Sequence, residues 1–407
     1  MSDSNGTITV KTAGNPFTIN KLTIELGDGK QYDVLKRLMA LDLYESMFTF
    51  FMTGQMLIYD TENIPMGDAR YVEVSFTSKD SPTVSGRYPV ILSKKVSVPG
   101  QEVTLHAVHF AAPEFVNNAR HKVCKAFENI KGSDIIKSIL TETLGFKEGE
   151  GKTLSIDPSL YDETQVFPGA EPIFAIASML RRMLDPNNPE AANFFFWGDR
   201  DGYNLKSFET LVKKEIAATL FFQVQIQDRR DTYNPMIVKA LTFPPTTNMI
   251  TGVGAGVYKA QSSYFDLLNK KVIKTDLNIE KWLPATATLN KNQAWRKQAD
   301  EDNERPQTDG LVRSAVFDPT GPNKKMDEFS LRRTAQVANI VSGLAHVMID
   351  GTTDLKVGDV IYLFHSSEAS SGKYVISAIR HMLTTGKYDM SMELVRDSIP
   401  TAAIPQT

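Results

Sequence analysis

Apolar and polar positions alternate most regularly near the end of the chain, from Leu344 to Asp397. The segments VGDVIYLFH and YVISAIRHM are rich in β-branched and aromatic residues, and turn residues punctuate them at Gly351, Gly358, Ser371-Gly372 and Gly386. That pattern predicts five or six short strands in a compact all-β barrel or sandwich.

A weaker copy lies near the other end. Laid over the stretch from Gly358, the stretch from Gly67 sets Gly67-Asp68 against Gly358-Asp359, Ser85-Gly86-Arg87-Tyr88 against Ser371-Gly372-Lys373-Tyr374, and the strand Val103 to Val108 against Met390 to Val395. One gap after Phe76 suffices. The shared order of turn, strand, loop, Ser-Gly-basic-Tyr, strand, turn and strand predicts an internal repeat.

The expected fold class is α+β, mainly β: two similar β-barrel domains with an inserted α/β lobe and long loops. Residues 1–18 read as a disordered arm and 19–113 as the first barrel. Its Gly27-Asp28-Gly29 hairpin is followed by strands at Gly54 to Tyr59, Tyr71 to Phe76, Pro89 to Val96 and Glu102 to Phe110. Residues 114–232 read as the lobe. There Ser133 caps a helix over 134–144 that stops at Gly145. A second helix, 171–184, turns Ile173, Phe174, Ile176, Ala177 and Leu180 inward, and an aromatic hairpin joins Asn193–Trp197 to Tyr203–Phe208 across a turn at 198–202. Residues 233–326 form an irregular connecting region with a hairpin inside 257–277, and its charged part, 287–326, has no assigned place. Residues 327–398 form the second barrel, led by a helix from Phe329 to Val341 with Leu331, Ala335, Ala338 and Val341 as its stripe and Gly343 just past its end. Residues 399–407 are a tail.

At 407 residues, two to four domains are expected. Hydrophobic residues make up 42% and charged residues 23%, as in a soluble globular protein. A net charge of -3, with no basic cluster interleaved with aromatics, argues against a nucleic-acid groove. The polar start has no signal-peptide character. The longest tempting apolar run, Leu38 to Tyr59, is broken by Asp42, Glu45, Gly54 and Gln55, so no membrane insertion is expected. The single cysteine, Cys124, excludes an internal disulfide framework and suits folding in a cytoplasm.

The sequence carries no specific catalytic motif: no GxSxG, P-loop, HExxH or CxxC. Gly252, Gly254 and Gly256 in TGVGAG lack the Lys-Ser/Thr of a phosphate loop and read as a plain loop. His121 and Cys124 read as a surface histidine beside a small buried thiol rather than a thiolate pair. His106 and His109, three apart on a strand, point to opposite faces and cannot share a metal. His365 and His381 carry no nearby carboxylate signature. Phe194 to Trp197 could offer a sugar-stacking shelf, but packing against the 171–184 helix is the simpler reading. The carboxylates contain no pair that stands out as glycosidic. No catalytic, cofactor-binding or metal residue is assigned, and the expectation is a protein without cofactor or enzyme activity.

Four pieces carry a resemblance: GQMLIYDTENI from Gly54, EPIFAIASMLRRML with NFFFWGDRDGYNL, GVYKAQSSYFDLLNKKV after Gly256, and the terminal LKVGDVIYLFHSS with GKYVISAIRHMLTTGKYDMSMELVR. In this order the chain, over about residues 20–398, resembles the central baseplate hub proteins of contractile-tailed bacteriophages. The resemblance implies two "tube" barrels per chain and a homotrimeric ring of six quasi-equivalent barrels. Such a ring joins a sixfold tail tube to a trimeric spike, with tape-measure and baseplate wedge proteins as further partners. DNA would pass through the channel without specific binding, which a weakly charged chain suits. The implied location is the virion tail, after assembly in the host cytoplasm. The alternatives are a tail-tip peptidoglycan hydrolase and the spike base of a contractile injection system.

Overall fold

The computed structural model describes residues 8–10, 17–60, 64–79, 81–97, 104–149, 151–222, 234–244, 257, 259–266, 269–278, 286–293, 311–314 and 326–400. The fold is mainly β, and its largest element is one curled sheet of 14 strands. The antiparallel path of this sheet runs through Phe17–Leu26, Ala69–Ser78, Val84–Ser97, Thr104–Ala111, Thr53–Asp60 and Leu38–Ser46. It then crosses to Gly372–Leu383, Tyr388–Arg396, Gly343–Asp350 and Ala240–Thr242. Val360–Phe364 flanks Gly372–Leu383 and holds Ile216–Phe221 in parallel on its far side.

Alternation builds each half around its own core. Val72, Val74 and Phe76 are buried while Glu73 and Ser75 between them are half-exposed, as one wet and one dry face require. The N-terminal half closes over Leu22, Ile24, Leu41, Leu43, Ile58 and Phe76, and the C-terminal half over Val347, Val360, Leu363, Ile376, Met392 and Leu394.

The two halves repeat one ladder. The row Leu41, Met56, Val108, Ser93 of the first half has its counterpart in Leu241, Val347, Met392, Ile379 of the second. Val72 faces Tyr88 as Ile361 faces Tyr374, and each long strand has an irregularity just beyond, between Val90 and Leu92 and between Ile376 and Ala378. Gly86 to Tyr88 therefore match Gly372 to Tyr374 as the sequence overlay sets them. Two other pieces of that overlay slip. The ladder sets Val108 against Met392 rather than Val395, because the hairpins after the long strands differ in length. Gly358 adopts φ +85° whereas Gly67 sits in a 3₁₀ turn with no positive φ, so the two Gly-Asp pairs are not equivalent. The barrels are also not separate bodies: Leu38–Ser46 of one half pairs directly with Gly372–Leu383 of the other.

Several boundaries move. Within the expected arm, Ile8–Val10 pairs with the start of Phe17–Leu26, and Phe17 is core; residues 1–7 and 11–16 lie outside the described residues. The lobe gives up Ile216–Phe221 to the second half, a parallel pairing across more than a hundred residues that local pattern does not reveal. Its first helix starts at Gly132 and ends as a π-turn over Ile139–Thr143. Ser133 is not its cap: its hydroxyl accepts from the Ser159 amide while the Ser159 hydroxyl accepts from the Ser133 amide. The second helix is Pro172–Leu180, and its buried face is Pro172, Ala175, Ile176, Met179 and Leu180. Phe174, expected inside, is 61% exposed because the start at Pro172 sets a different face inward. The aromatic hairpin pairs Phe194–Asp199 with Gly202–Ser207 across only Arg200 and Asp201.

The connecting region contains the expected hairpin, Lys259–Asp266 with Lys271–Asn278, plus a parallel third strand, Leu311–Ser314. The leading helix, Met326–Ile340, packs Leu331 and Ala335 on Ala260 and Leu277. Gly343 is no helix terminator. It opens a strand, without positive φ, where an added Cβ would meet the Arg396 side chain at 2.5 Å. Part of the unplaced 287–326 segment also finds its position: Asn292–Gln293 pairs with Ser398–Ile399, so the expected tail begins inside a ladder. The Asn290 side chain donates to the Lys373 and Ser398 carbonyls and accepts from the Lys373 amide.

Candidate functional site

The seam between the halves carries polar and charged groups on both of its faces. Six pairs, from Ala378 opposite Ser46 to Leu383 opposite Leu41, zip the two halves into one sheet. On its outer face the Arg380 guanidinium makes a bidentate contact with Asp42, at 3.2 and 3.0 Å, and stacks over the Tyr44 ring. Gln55 donates to the same carboxylate from the next strand. Planar, two-pronged pairing of this kind fixes register as well as adding energy.

The inner face holds a buried charge cluster. Arg200, at the tip of the lobe's aromatic hairpin, reaches into the seam and donates to the carbonyls of Thr353 and Leu355 at 2.9 and 2.7 Å. Its Nη1 lies 3.2 Å from His381 Nε2 and 3.9 Å from Glu45 Oε1. Tyr388 spends its one proton on the Thr352 carbonyl, so at 2.7 Å it must accept from His381 Nδ1, which leaves Nε2 as the acceptor for Arg200. His381 is therefore neutral, and burial holds its pKa below the usual value. Burial works against the Glu45 carboxylate too, but the Arg200 cation outweighs it and keeps its pKa low. Burial likewise opposes the Arg200 charge, and Glu45 overrides it. The cluster thus locks lobe, first half and second half at one point.

A cleft of about 170 Å³ opens between the lobe and the first half, lined by Tyr88, Glu114, Lys152, Asp199 and Tyr203 among others. Burial raises the pKa of Glu114, which accepts from the Tyr203 hydroxyl at 3.1 Å. Burial also pushes Asp199 up to about 6, though it accepts from the Asp201 amide and the Asn204 side chain. Every near partner of these two carboxyls belongs to the hairpin or its contacts, so the cleft reads as the lining of a joint.

The residues weighed in the sequence are scattered. His106 is buried at 3.4 Å from Asp60, with His109 on the other face of its strand. His121 and Cys124 are both exposed; the thiol was expected inside, and its strand position turns it out instead. His365 Nδ1 accepts from the Ser367 amide. The aromatic run is fully buried, with Phe194 and Phe196 in the lobe core and Phe195 and Trp197 in the core of the second half, so it offers no shelf to a sugar and packs on more than the helix. Residues 251–256, with the TGVGAG glycines, lie outside the described residues. His381 does have a carboxylate nearby, Glu45, brought from the other end of the chain. Glu45 and Arg200 carry no local motif, and only the interrupted apolar run at Leu38 to Tyr59 hinted that its acids were unusual. Among the described residues no cluster of ligating side chains fits a metal, and no helix is long and apolar enough to cross a membrane.

A mainly β chain built on one large curled antiparallel sheet is consistent with the folds of gp27- and gp5-like tail hub proteins. In sequence, the chain is 23% identical over 297 residues to the probable baseplate hub protein gp334 of Vibrio phage KVP40, covering 68% of this chain and 69% of that one. In fold, it is similar to a tail protein from Neisseria meningitidis, at 10% identity and a TM-score of 0.59, over 93% and 97% of the two chains. It is also similar to the Escherichia coli c3393 protein, a type VI secretion component described as resembling T4 tail proteins gp27 and gp5, at 11% identity and a TM-score of 0.50, over 95% and 80%. No family model matches. Sequence and fold likenesses both fall on tail and baseplate proteins, as the sequence resemblance implied.

Proposed function

We propose that this protein is the structural hub of a contractile phage-tail baseplate, a homotrimer that joins the sixfold tail tube to a threefold spike around the DNA channel. The observation that carries the reading is the duplicated ladder: one chain holds two units with the same strand order, so three chains supply six tube-like units while keeping threefold symmetry for the spike. The likeness to the KVP40 hub protein supports the baseplate as the location.

The role is mechanical, with no reaction. A net charge of -3 suits a conduit, since each cation contact to a phosphate would add non-specific affinity. Tape-measure and wedge proteins are the further expected neighbours. The likeness to a type VI secretion component favours, as second reading, the spike base of an injection system, which is the same machine in another setting.

Sedimentation of the purified 45.3 kDa chain, alone and with its spike protein, tests the assembly: a three-copy species is expected. A chain that stays monomeric in both conditions overturns the reading. Absence of clearing in a cell-wall zymogram is expected as well, and clearing would favour the alternative, a tail-tip peptidoglycan hydrolase.

A further inference from the structure

We propose that each protomer joins the next by strand pairing between the Ala240–Thr242 edge of one copy and the Ser93–Ser97 end of the long Val84–Ser97 strand of its neighbour. The register is Leu241 opposite Ser97, Thr242 opposite Val96 and Phe243 opposite Lys95. This rests on the trimeric hub reading and specifies what that reading leaves open.

The seam inside the chain is the template. There the strand Leu38–Ser46, at the margin of the first half, pairs with residues 378–383 of the second half's long strand. The ladder equivalences carry both partners to their copies. Leu41 corresponds to Leu241, because Leu41 faces Met56 as Leu241 faces Val347. Ile379 corresponds to Ser93, because they face the equivalent Met392 and Val108. Leu383 then corresponds to Ser97, and the seam pairs Leu383–Leu41, Met382–Asp42 and His381–Leu43 become Ser97–Leu241, Val96–Thr242 and Lys95–Phe243.

Among the described residues both copied edges are open: Ala240–Thr242 pairs only with Gly343–Asp350, and the 92–97 end of the long strand pairs only with Thr104–Ala111. Apolar side chains stand exposed at both edges: Leu92, at the start of the long-strand end, is 53% exposed and Phe243, in the proposed register, 39%, whereas Leu43, the seam counterpart of Phe243, is buried. An apolar, unpaired strand edge is an aggregation hazard unless something covers it. The two edges differ from each other, so the contact is head-to-tail, and a contact of that kind closes into a ring when its rotation divides the circle. The occupant of each edge is therefore a second copy of this chain.

The test is cysteine cross-linking in a Cys124→Ser background, which removes the sole native thiol. Thr242→Cys with Val96→Cys, oxidised by copper-phenanthroline, is expected to give covalent dimers and trimers on a non-reducing gel. Thr242→Cys with Lys95→Cys, one residue off and so on the opposite face, is expected to give at least tenfold less. Light scattering on each variant, with and without the spike protein, reports the assembly separately. A trimer that cross-links through neither pair, or equally through both, overturns this interface and leaves the hub intact. A monomer throughout overturns both.

Discussion

Arg200→Met is the sharpest perturbation of the fold's central joint. It keeps the bulk of the side chain and removes the cation that faces Glu45, His381 and the carbonyls of Thr353 and Leu355. Removing one partner of a buried ion pair costs about 3–5 kcal/mol, chiefly because the remaining charge stays buried. Within that, each carbonyl left without a donor accounts for about 1–3 kcal/mol. Replacing Glu45 by Leu as well removes the stranded charge, so the double variant should recover the ionic part and retain only the carbonyl part. Urea unfolding followed by tryptophan fluorescence suits the measurement, since Trp197 is buried in the core next to the joint. The cycle should show a coupling of more than about 1 kcal/mol. Arg200→Met costing under about 1 kcal/mol, or single and double variants that simply add, would refute the idea that this cluster clamps the lobe to the seam.

Two further outcomes follow from single sites. Burial raises the Asp397 pKa from 3.8 to about 6, so the native state binds the extra proton between those values and its stability falls as pH rises through that window. Asp397→Asn keeps an oxygen to accept from Leu289 and Ser398. It should be more stable than the parent by roughly 3 kcal/mol above pH 6, with the advantage vanishing near pH 4; thermal melts at pH 4 and pH 8 check it, and a gap that ignores pH counts against the argument. Gly202 adopts φ +137°, and a Cβ there would lie 2.0 Å from the Thr153 carbonyl oxygen. Gly202→Ala should therefore cost at least about 1–3 kcal/mol, and exchange of the 153–156 amides should rise first, because those residues pair with Gly202–Ser207.

Local pattern exposed what local forces determine. Val72, Val74 and Phe76 alternate because their strand has one wet face, and Gly29 sits at φ +82° in the hairpin its Gly-Asp-Gly turn announces. Leu38–Ser46 was harder to see as a strand, since Asp42 and Glu45 interrupt its apolar pattern. Their partners Arg380 and Arg200 lie far along the chain, and only the folded seam explains two acids in a central strand. Ala240–Thr242 is three residues long, too short for periodicity, and is recognisable only as the ladder copy of Ala40–Asp42. The mainly β class, the repeat and the hub resemblance were thus readable, whereas the seam that joins the two halves was not.

The difference between the seam and its copied edge makes a last prediction. In the seam, Arg380 grips Asp42 with two hydrogen bonds; at the proposed protomer boundary the corresponding positions are Lys94 and Thr242, which cannot form that pair. A permanent intramolecular joint and a joint that must assemble from free chains have different needs, and the missing ion pair leaves the boundary weaker. Installing it with Thr242→Asp and Lys94→Arg should tighten the trimer. Each partly exposed pair is worth about 0.2–1 kcal/mol, and three boundaries close the ring, so the gain should total roughly 0.6–3 kcal/mol. That is about a 3-fold to 150-fold fall in the dissociation constant, measurable by sedimentation at decreasing protein concentration. Thr242→Asp alone already faces the Lys94 ammonium and should give part of the gain, without the bidentate geometry, whereas Lys94→Arg alone still faces a threonine and should do little. A double variant that dissociates like the parent, while its fold and melting temperature are unchanged, would mean that Lys94 and Thr242 do not meet across the boundary and that the seam is not its template.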